Sequence, residues 1–409
     1  MRGMTDTMTI GERISFYRRR RGQSQLVLAG LVGRTEDWLS KVENNRIELD
    51  RLSVIRRIAE ALDVSIGDLV GEPTLLDWTI DSGMQTVPAL RAALMDYRQI
   101  TPLLAVSGTA SEPVDLDALH GDVNAIFEAY QASRYGYVTG RAPLVLSDAL
   151  GAARTAPPEE RNRAQSLLAL TYQVAVSVLT KLGETDLAWI ASERGLAAAQ
   201  ESGNPVVLGS LFRSVAYALH STGRFGAGVE LVQAAAGLLE PHLSSRSDDS
   251  FLSVYGTLFL TGAVAAARAE DRQSVTAFLR EAGDSANRVG RDTNVMWTAF
   301  GPTNVAIHRM TTALELGDVQ VAVDLAPNID ASGLPAERRV RHAIETARAY
   351  TARNRRDDAL AILLDAEQTA PEQVRHHAVS RQLVLGWLRN SRGPRSVALE
   401  QLAGRLHLA

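Results

Sequence analysis

A chain of 409 residues, 45% apolar and 22% charged, is long enough for two or three domains or one long repeat array. It has no cysteine, which excludes disulfides, thiolate metal sites and cysteine nucleophiles, and its net charge of −4 excludes a protein that coats nucleic acid through a bulk basic field. Aromatic residues are scarce at 5%, whereas Ala and Leu abound. That balance favours helix packed on helix, because small and unbranched side chains lose little freedom in a helix.

The first residues, "MRGMTDTMTI", hold no apolar targeting core, so the expectation is a cytoplasmic protein with a disordered segment over 1–8. A helix is predicted from Ile10 to Arg20, with Ile10, Ile14 and Tyr17 on one stripe, and Gly22 ends it. Ser24 caps a second helix that buries Leu28 and Ala29, followed by the turn Val32-Gly33-Arg34. Thr35 caps a third, which buries Leu39 and Val42. A fourth runs through Leu52, Ile55, Ala59 and Leu62, and a fifth, from Val64 to Leu69, takes Ser65 as its cap.

The stretch "SQLVLAGLVGRTEDWLSKVENNR" resembles the Cro/cI-type (XRE) helix-turn-helix, with Gln25, Leu28, Ala29, Leu39, Ser40 and Glu43 in register. The resemblance covers residues 9–72 and implies a five-helix DNA-binding domain. It implies that Gln25 touches a phosphate and braces the recognition helix, and that Glu36, Asp37 and Lys41 face base edges. Asn44, Asn45 and Arg46 would hold phosphates, with Ser24, Thr35, Ser40, Arg19 and Arg21 completing the contact surface. Asn45 stands where the family pattern has Gly, and Asn tolerates the left-handed conformation. Arg18 is assigned instead to a partly buried ion pair with Glu43.

Two acids lead the recognition helix. Directly after the cap Thr35, Glu36 and Asp37 sit at the positive end of the helix dipole, worth about 0.3–1 kcal/mol each. Either could also accept a hydrogen bond from the N4 amino group of cytosine. Residues 9–72 carry 11 Arg and Lys against 10 Asp and Glu, a net of +1. One such domain should bind DNA feebly, so useful affinity calls for a homodimer on an inverted-repeat operator in double-stranded DNA.

Beyond Pro73 the periodicity stays helical, and the fold class expected for the chain is all-α. Residues 73–115 read as a linker with a connecting helix, and 116–409 as a helical repeat domain. The uncharged run Phe251 to Ala267 reads as a helix buried in the repeat core, with no membrane involved. Between Ala343 and Pro371, the residues Ala347, Tyr350, Ala359, Ala366 and Pro371 stand at tetratricopeptide-repeat (TPR) offsets. Weaker small-x6-small copies are Ala188/Gly195, Ala227/Ala234 and Val275/Ala282. This region resembles a divergent TPR-like α-solenoid.

The combination resembles bacterial regulators with a sensory repeat domain, including the peptide-responsive RRNPP group. That implies a peptide or small-molecule effector in a concave groove. In "MWTAFGPTNVAIHRM" the helix breaks at Gly301-Pro302, and Asn304 and His308 share a face with Trp297 nearby. The expected groove residues are these three with Tyr217, Tyr255 and Arg341; the alternative for Asn304 and His308 is a pair that satisfies its own buried backbone at the kink. No P-loop, HExxH or GxSxG motif occurs, so no enzyme, cofactor or metal site is expected. Two rivals stand beside this reading: a repeat domain that holds a protein partner and no small ligand, and an enzyme tethered to a helix-turn-helix.

Overall fold

The computed structural model describes residues 8–47, 49, 51–64, 66–70, 86–96, 114–244, 247–390 and 396–408. The expected disordered start, the Ser65 cap and most of the expected linker therefore lie outside the described residues.

At the N-terminus, α1 (Ile10–Arg20), α2 (Gln25–Leu31), α3 (Glu36–Glu43), α4 (Leu52–Leu62) and α5 (Ile66–Val70) close around their own apolar core. Ile14, Leu28, Leu39, Ile58, Leu62 and Leu69 are fully buried there. Polar caps fix the helix starts. Thr9 accepts from the Glu12 amide while the Glu12 carboxylate accepts from the Thr9 amide, a reciprocal capping box. Ser24 and Thr35 cap α2 and α3 by accepting from the Val27 and Trp38 amides, each worth about 1 kcal/mol.

The rest of the chain is α6 (Val87–Leu94), α7 (Leu116–Gln131), α8 (Tyr135–Thr155), α9 (Arg161–Lys181), α10 (Thr185–Ser202), α11 (Pro205–Ser221) and α12 (Phe225–Leu239). There follow α13 (Asp249–Arg268), α14 (Arg272–Val289), α15 (Pro302–Glu315), α16 (Val319–Leu325) and α17 (Ala336–Ala352). The chain ends with α18 (Arg356–Thr369), α19 (Pro371–His376), α20 (Ala378–Arg389) and α21 (Val397–Arg405). Among the described residues there is no strand, only an isolated bridge between Thr293 and Phe300. The protein is all-helical.

From α7 to α17 each helix packs on its successor, and α7, α9, α11, α13, α15 and α17 also pack on one another in turn. The result is a stack of helix pairs with the odd-numbered helices in one layer. Small residues permit the close crossings: Gly195 of α10 faces the side chains of Leu211 and Tyr172, and Ala188, Ala282, Ala359 and Ala366 are buried as their spacing predicts. In α12 the register is shifted by one. Ala234 is exposed, and Gly228 and Ala235 take the buried positions, because Gly228 packs against the Ala265 methyl and the His220 ring. Helix α13 is long and apolar enough to cross a membrane by composition, but 89% of that stretch is buried inside the stack.

The stack curls until its ends meet. Ser133 donates to Gln373 at 2.8 Å, and the Gly136 amide donates to Glu372 at 3.1 Å. Gln131 and Asn294 exchange reciprocal amide hydrogen bonds, and Trp297 stacks on Phe127 at 3.8 Å with the rings 5° apart. The turn that presents Trp297 carries three non-glycine residues at positive φ, Met296, Trp297 and Ala299. Each is held against about 1–3 kcal/mol of backbone strain by these contacts.

The N-terminal unit sits on this stack. Arg51, Ser53 and Arg57 all donate to one oxygen of Glu270, at 3.3, 3.0 and 3.0 Å. Arg51 also reaches the Glu315 carbonyl, Gln382 donates to the Val70 carbonyl at 2.9 Å, and Arg389 pairs with Glu12. Ile66 packs directly on Gly223, where φ is +75° and a Cβ would strike the isoleucine methyl. Only glycine satisfies both demands.

Candidate nucleic-acid interface

The recognition helix is held from behind. Arg18 of α1 sends Nε and Nη2 to the two carboxylate oxygens of Glu43 in α3, at 2.5 and 2.7 Å. Both side chains are buried, and Gln25 of α2 donates to the same carboxylate at 2.8 Å. Burial would raise the Glu43 carboxyl, but the hydrogen bonds from Arg18 and Gln25 outweigh it and hold the group below the usual carboxylate range. One buried carboxylate thus fixes the mutual angle of three helices, and the amide of Gln25 serves as a brace.

In front, Glu36, Asp37 and Lys41 are exposed on α3. Lys41 pairs with Asp37 across one turn at 2.7 Å, so the surface mixes signs and is not purely acidic. Ser40 is half-buried beside Asn44, whose amide donates to the Ser40 carbonyl at 2.7 Å. Arg19 and Arg46 are exposed, whereas Arg21 pairs with Asp63 at 2.6 Å. Ser24 and Thr35 spend their hydroxyls on the helix caps described above. Asn45 adopts φ +56°, the left-handed conformation its position requires, but its Oδ1 accepts from the Thr9 hydroxyl at 2.6 Å. That side chain faces the stack, which separates it from the other expected phosphate contacts.

Two features were missed in the sequence. Arg34, exposed in the turn, lies 5.4 Å over the Trp38 ring and places another cation at the start of α3. Leu26, Val27 and Leu31 form an exposed apolar side of α2. The signal for the first was present in the spacing Arg-x3-Trp on a helix start.

Beneath the N-terminal unit lies a cavity of about 340 Å³. Thr9, Ile10, Ile47 and Leu49 wall it on one side, and Lys181, Tyr217, Arg341 and His377 on the other. Of the six expected groove residues, Tyr217 and Arg341 line it. Asn304 and His308 do not, because both are buried, and His308 Nδ1 hydrogen-bonds the Asn304 carbonyl at 2.9 Å within their own helix. Burial pushes the His308 imidazole down to about 3, with Arg338 adding to the effect, so the ring is neutral. Tyr255 is buried in the stack core between Phe251 and Phe259, and Trp297 is committed to Phe127.

Residues 9–72 match the family model for the helix-turn-helix domain, which spans the described α1 to α5. No curated protein matches the chain. The N-terminal unit is a helix-turn-helix domain, the architecture that places a short helix in the DNA major groove.

Proposed function

We propose that the protein is a cytoplasmic, homodimeric, sequence-specific transcriptional regulator with no catalytic step of its own. The helix-turn-helix reads an inverted-repeat operator, and the helical stack is a TPR-like sensory half that takes a peptide or small-molecule effector. The observation that carries this reading is the two-sidedness of the N-terminal domain. The outer face of α3 stands clear in solvent, while α4, α5 and the start of α1 sit on the stack over a half-open cavity. An occupant of that cavity touches both halves. The near-neutral charge of residues 9–72 supports a dimer, because a single domain lacks the electrostatic attraction for tight binding.

The test is to recover genomic DNA bound by the full-length protein and footprint it. Protection of two half-sites spaced by about 10–10.5 bp, or a multiple of it, is the expected outcome. A single protected half-site bound tightly by a monomer would defeat the dimer.

A further inference from the structure

The inner face of the stack holds more positive charge than it neutralises. Three carboxylates are each shared by two cations: Glu315 by Arg268 and Arg348, Glu345 by Arg341 and Arg348, and Glu337 by Lys181 and Arg338. With Arg213 the cluster has six cations against three acids, an excess of three positive charges. Among the described residues Arg213 makes no hydrogen bond or ion pair, and its Nε is buried without an acceptor, while that of Arg338 lies 3.9 Å from Glu337, beyond hydrogen-bond reach. Tyr217 lines the cavity beside Lys181 and Arg341, and Arg213 and Arg338 act on its hydroxyl from outside the cavity lining. Burial alone would raise the Tyr217 hydroxyl, yet Arg338 and Arg213 pull it below its ordinary value.

His377 does not compensate. Arg341 donates to its Nε2 at 3.0 Å, which makes that nitrogen the acceptor and leaves the ring neutral. A part-buried excess of guanidinium and ammonium groups is unfavourable unless an anion shares the site. Guanidinium forks suit the oxygens of a phosphoryl group, which they can grip in pairs. The cavity, lined by four of these cations, Lys181, Arg268, Arg341 and Arg348, is near the lower end of the roughly 300–1,000 Å³ range of small-molecule sites. Its far wall is apolar, with Ile47, Leu49, Ile55 and Leu383.

We propose that the stack binds a phosphorylated small molecule, its multiply charged phosphoryl head held by Lys181, Arg213, Arg338 and Arg341 around Tyr217, and its compact apolar body in the cavity against the helix-turn-helix. This rests on the sensory reading of the stack and specifies its effector. An apolar body there touches residues of both halves, so the ligand couples to the position of the DNA-reading domain.

The probe is inorganic pyrophosphate, compared with sodium chloride at equal ionic strength, on the full-length protein. Calorimetry should give saturable binding with a Kd of about 1 mM or tighter, and the melting temperature should rise by about 2 °C or more. Arg213→Met should abolish the pyrophosphate-dependent rise and leave the melting temperature in chloride unchanged or higher, because no partner is lost. The exposed control Arg280→Met should behave as the wild type. No saturable binding by the wild type overturns the proposal, as does an equal rise in wild type and Arg213→Met. A lower melting temperature of Arg213→Met in chloride also overturns it, since Arg213 would then have a structural partner. Binding with unchanged operator affinity sinks the sensory reading and keeps the site. A protein that footprints its operator but ignores pyrophosphate loses the site and keeps the DNA reading.

Discussion

Replacing Arg18 by Met keeps the length of the side chain and removes the fork that ties α1 to α3. In the wild type the guanidinium satisfies both oxygens of Glu43 at 2.5 and 2.7 Å and the Gln23 carbonyl at 2.7 Å, with both side chains nearly sealed from water. The variant leaves the Glu43 carboxylate enclosed with Gln25 as its principal remaining partner. Removing one partner of a buried pair costs about 3–5 kcal/mol. That is a large share of the roughly 5–15 kcal/mol by which a domain is stable. The slow backbone amides of α1 and α3 should therefore exchange roughly 10²–10⁴ times faster, while those of α9, far along the chain, keep their rates. The pH dependence gives a second reading. The Glu43 pKa is depressed in the folded wild type, so its contribution is complete above the ordinary value of 4.5 and is lost as pH falls through the lower folded value. In the variant burial acts without the guanidinium and raises the carboxyl, so protonation relieves the enclosed charge. The gap between wild type and variant should be widest at neutral pH and narrow in acid. Glu43→Leu added to Arg18→Met should recover most of the loss. A gap below about 1 kcal/mol, or one that ignores pH, would show that the pair acts like an exposed one and that α3 is held by its apolar side alone.

Glu36→Gln and Asp37→Asn separate recognition from helix stabilisation. A residue that reads cytosine should relax preference at one base pair by about 1–3 kcal/mol in a mutated-operator titration, whereas a residue that serves only the dipole should raise nonspecific affinity and leave preference unchanged. Glu270→Gln removes the charge shared by Arg51 and Arg57, and should increase hydrogen exchange in α4 without lowering the stability of the stack. Undisturbed α4 amides would mean that apolar contacts alone seat the domain. Gly256→Ala drives a methyl into the ring of Phe300, which is fully buried and has nowhere to move, and should cost about 1–3 kcal/mol in denaturant unfolding. A neutral effect there would show that the Phe300 pocket is loose.

Local chemistry was readable in the sequence. Ser24 and Thr35 declare their roles within a few residues, because a cap depends on spacing at one helix start, whereas the Arg18–Glu43 brace spans 25 positions and was implied only by the family resemblance. Only two of the six expected groove residues, Tyr217 and Arg341, line the cavity, and the others were misplaced for the opposite reason. Asn304 and His308 share a face by their spacing, but which face of α15 turns inward is decided by α13, α14 and α17, which pack around it. The same limit shifted the register of α12, where Gly228 lies against residues of α11 and α13. Glu270 shows it most sharply. Its three donors stand more than 200 residues away, and nothing near position 270 announces them.

The position of the helix-turn-helix constrains how an effector could act on the proposed reading. Among the described residues no side chain of α2 or α3 makes a hydrogen bond or ion pair with the stack, so the surface that would meet DNA is open as the domain sits. Occlusion of the reading face is therefore not the device. The polar contacts run through Arg51, Ser53, Arg57, Val70 and Glu12, none of which belongs to α2 or α3. An occupant pressing on Ile47 and Leu49 from the cavity would tilt the domain about those contacts and change the distance between two reading heads. An inverted repeat measures that distance in helical turns, so a displacement of a few ångströms is enough to favour or forbid the second half-site. A coupling of about 1–3 kcal/mol would suffice for a regulatory response. It follows that inserting about 5 bp, half a turn, between the half-sites should abolish binding in every effector state, while insertions of 1 or 2 bp should shift the balance between the empty and the occupied protein. Equal tolerance of all spacings would mean that the heads are not held by the stack, and the cavity would have no lever on DNA.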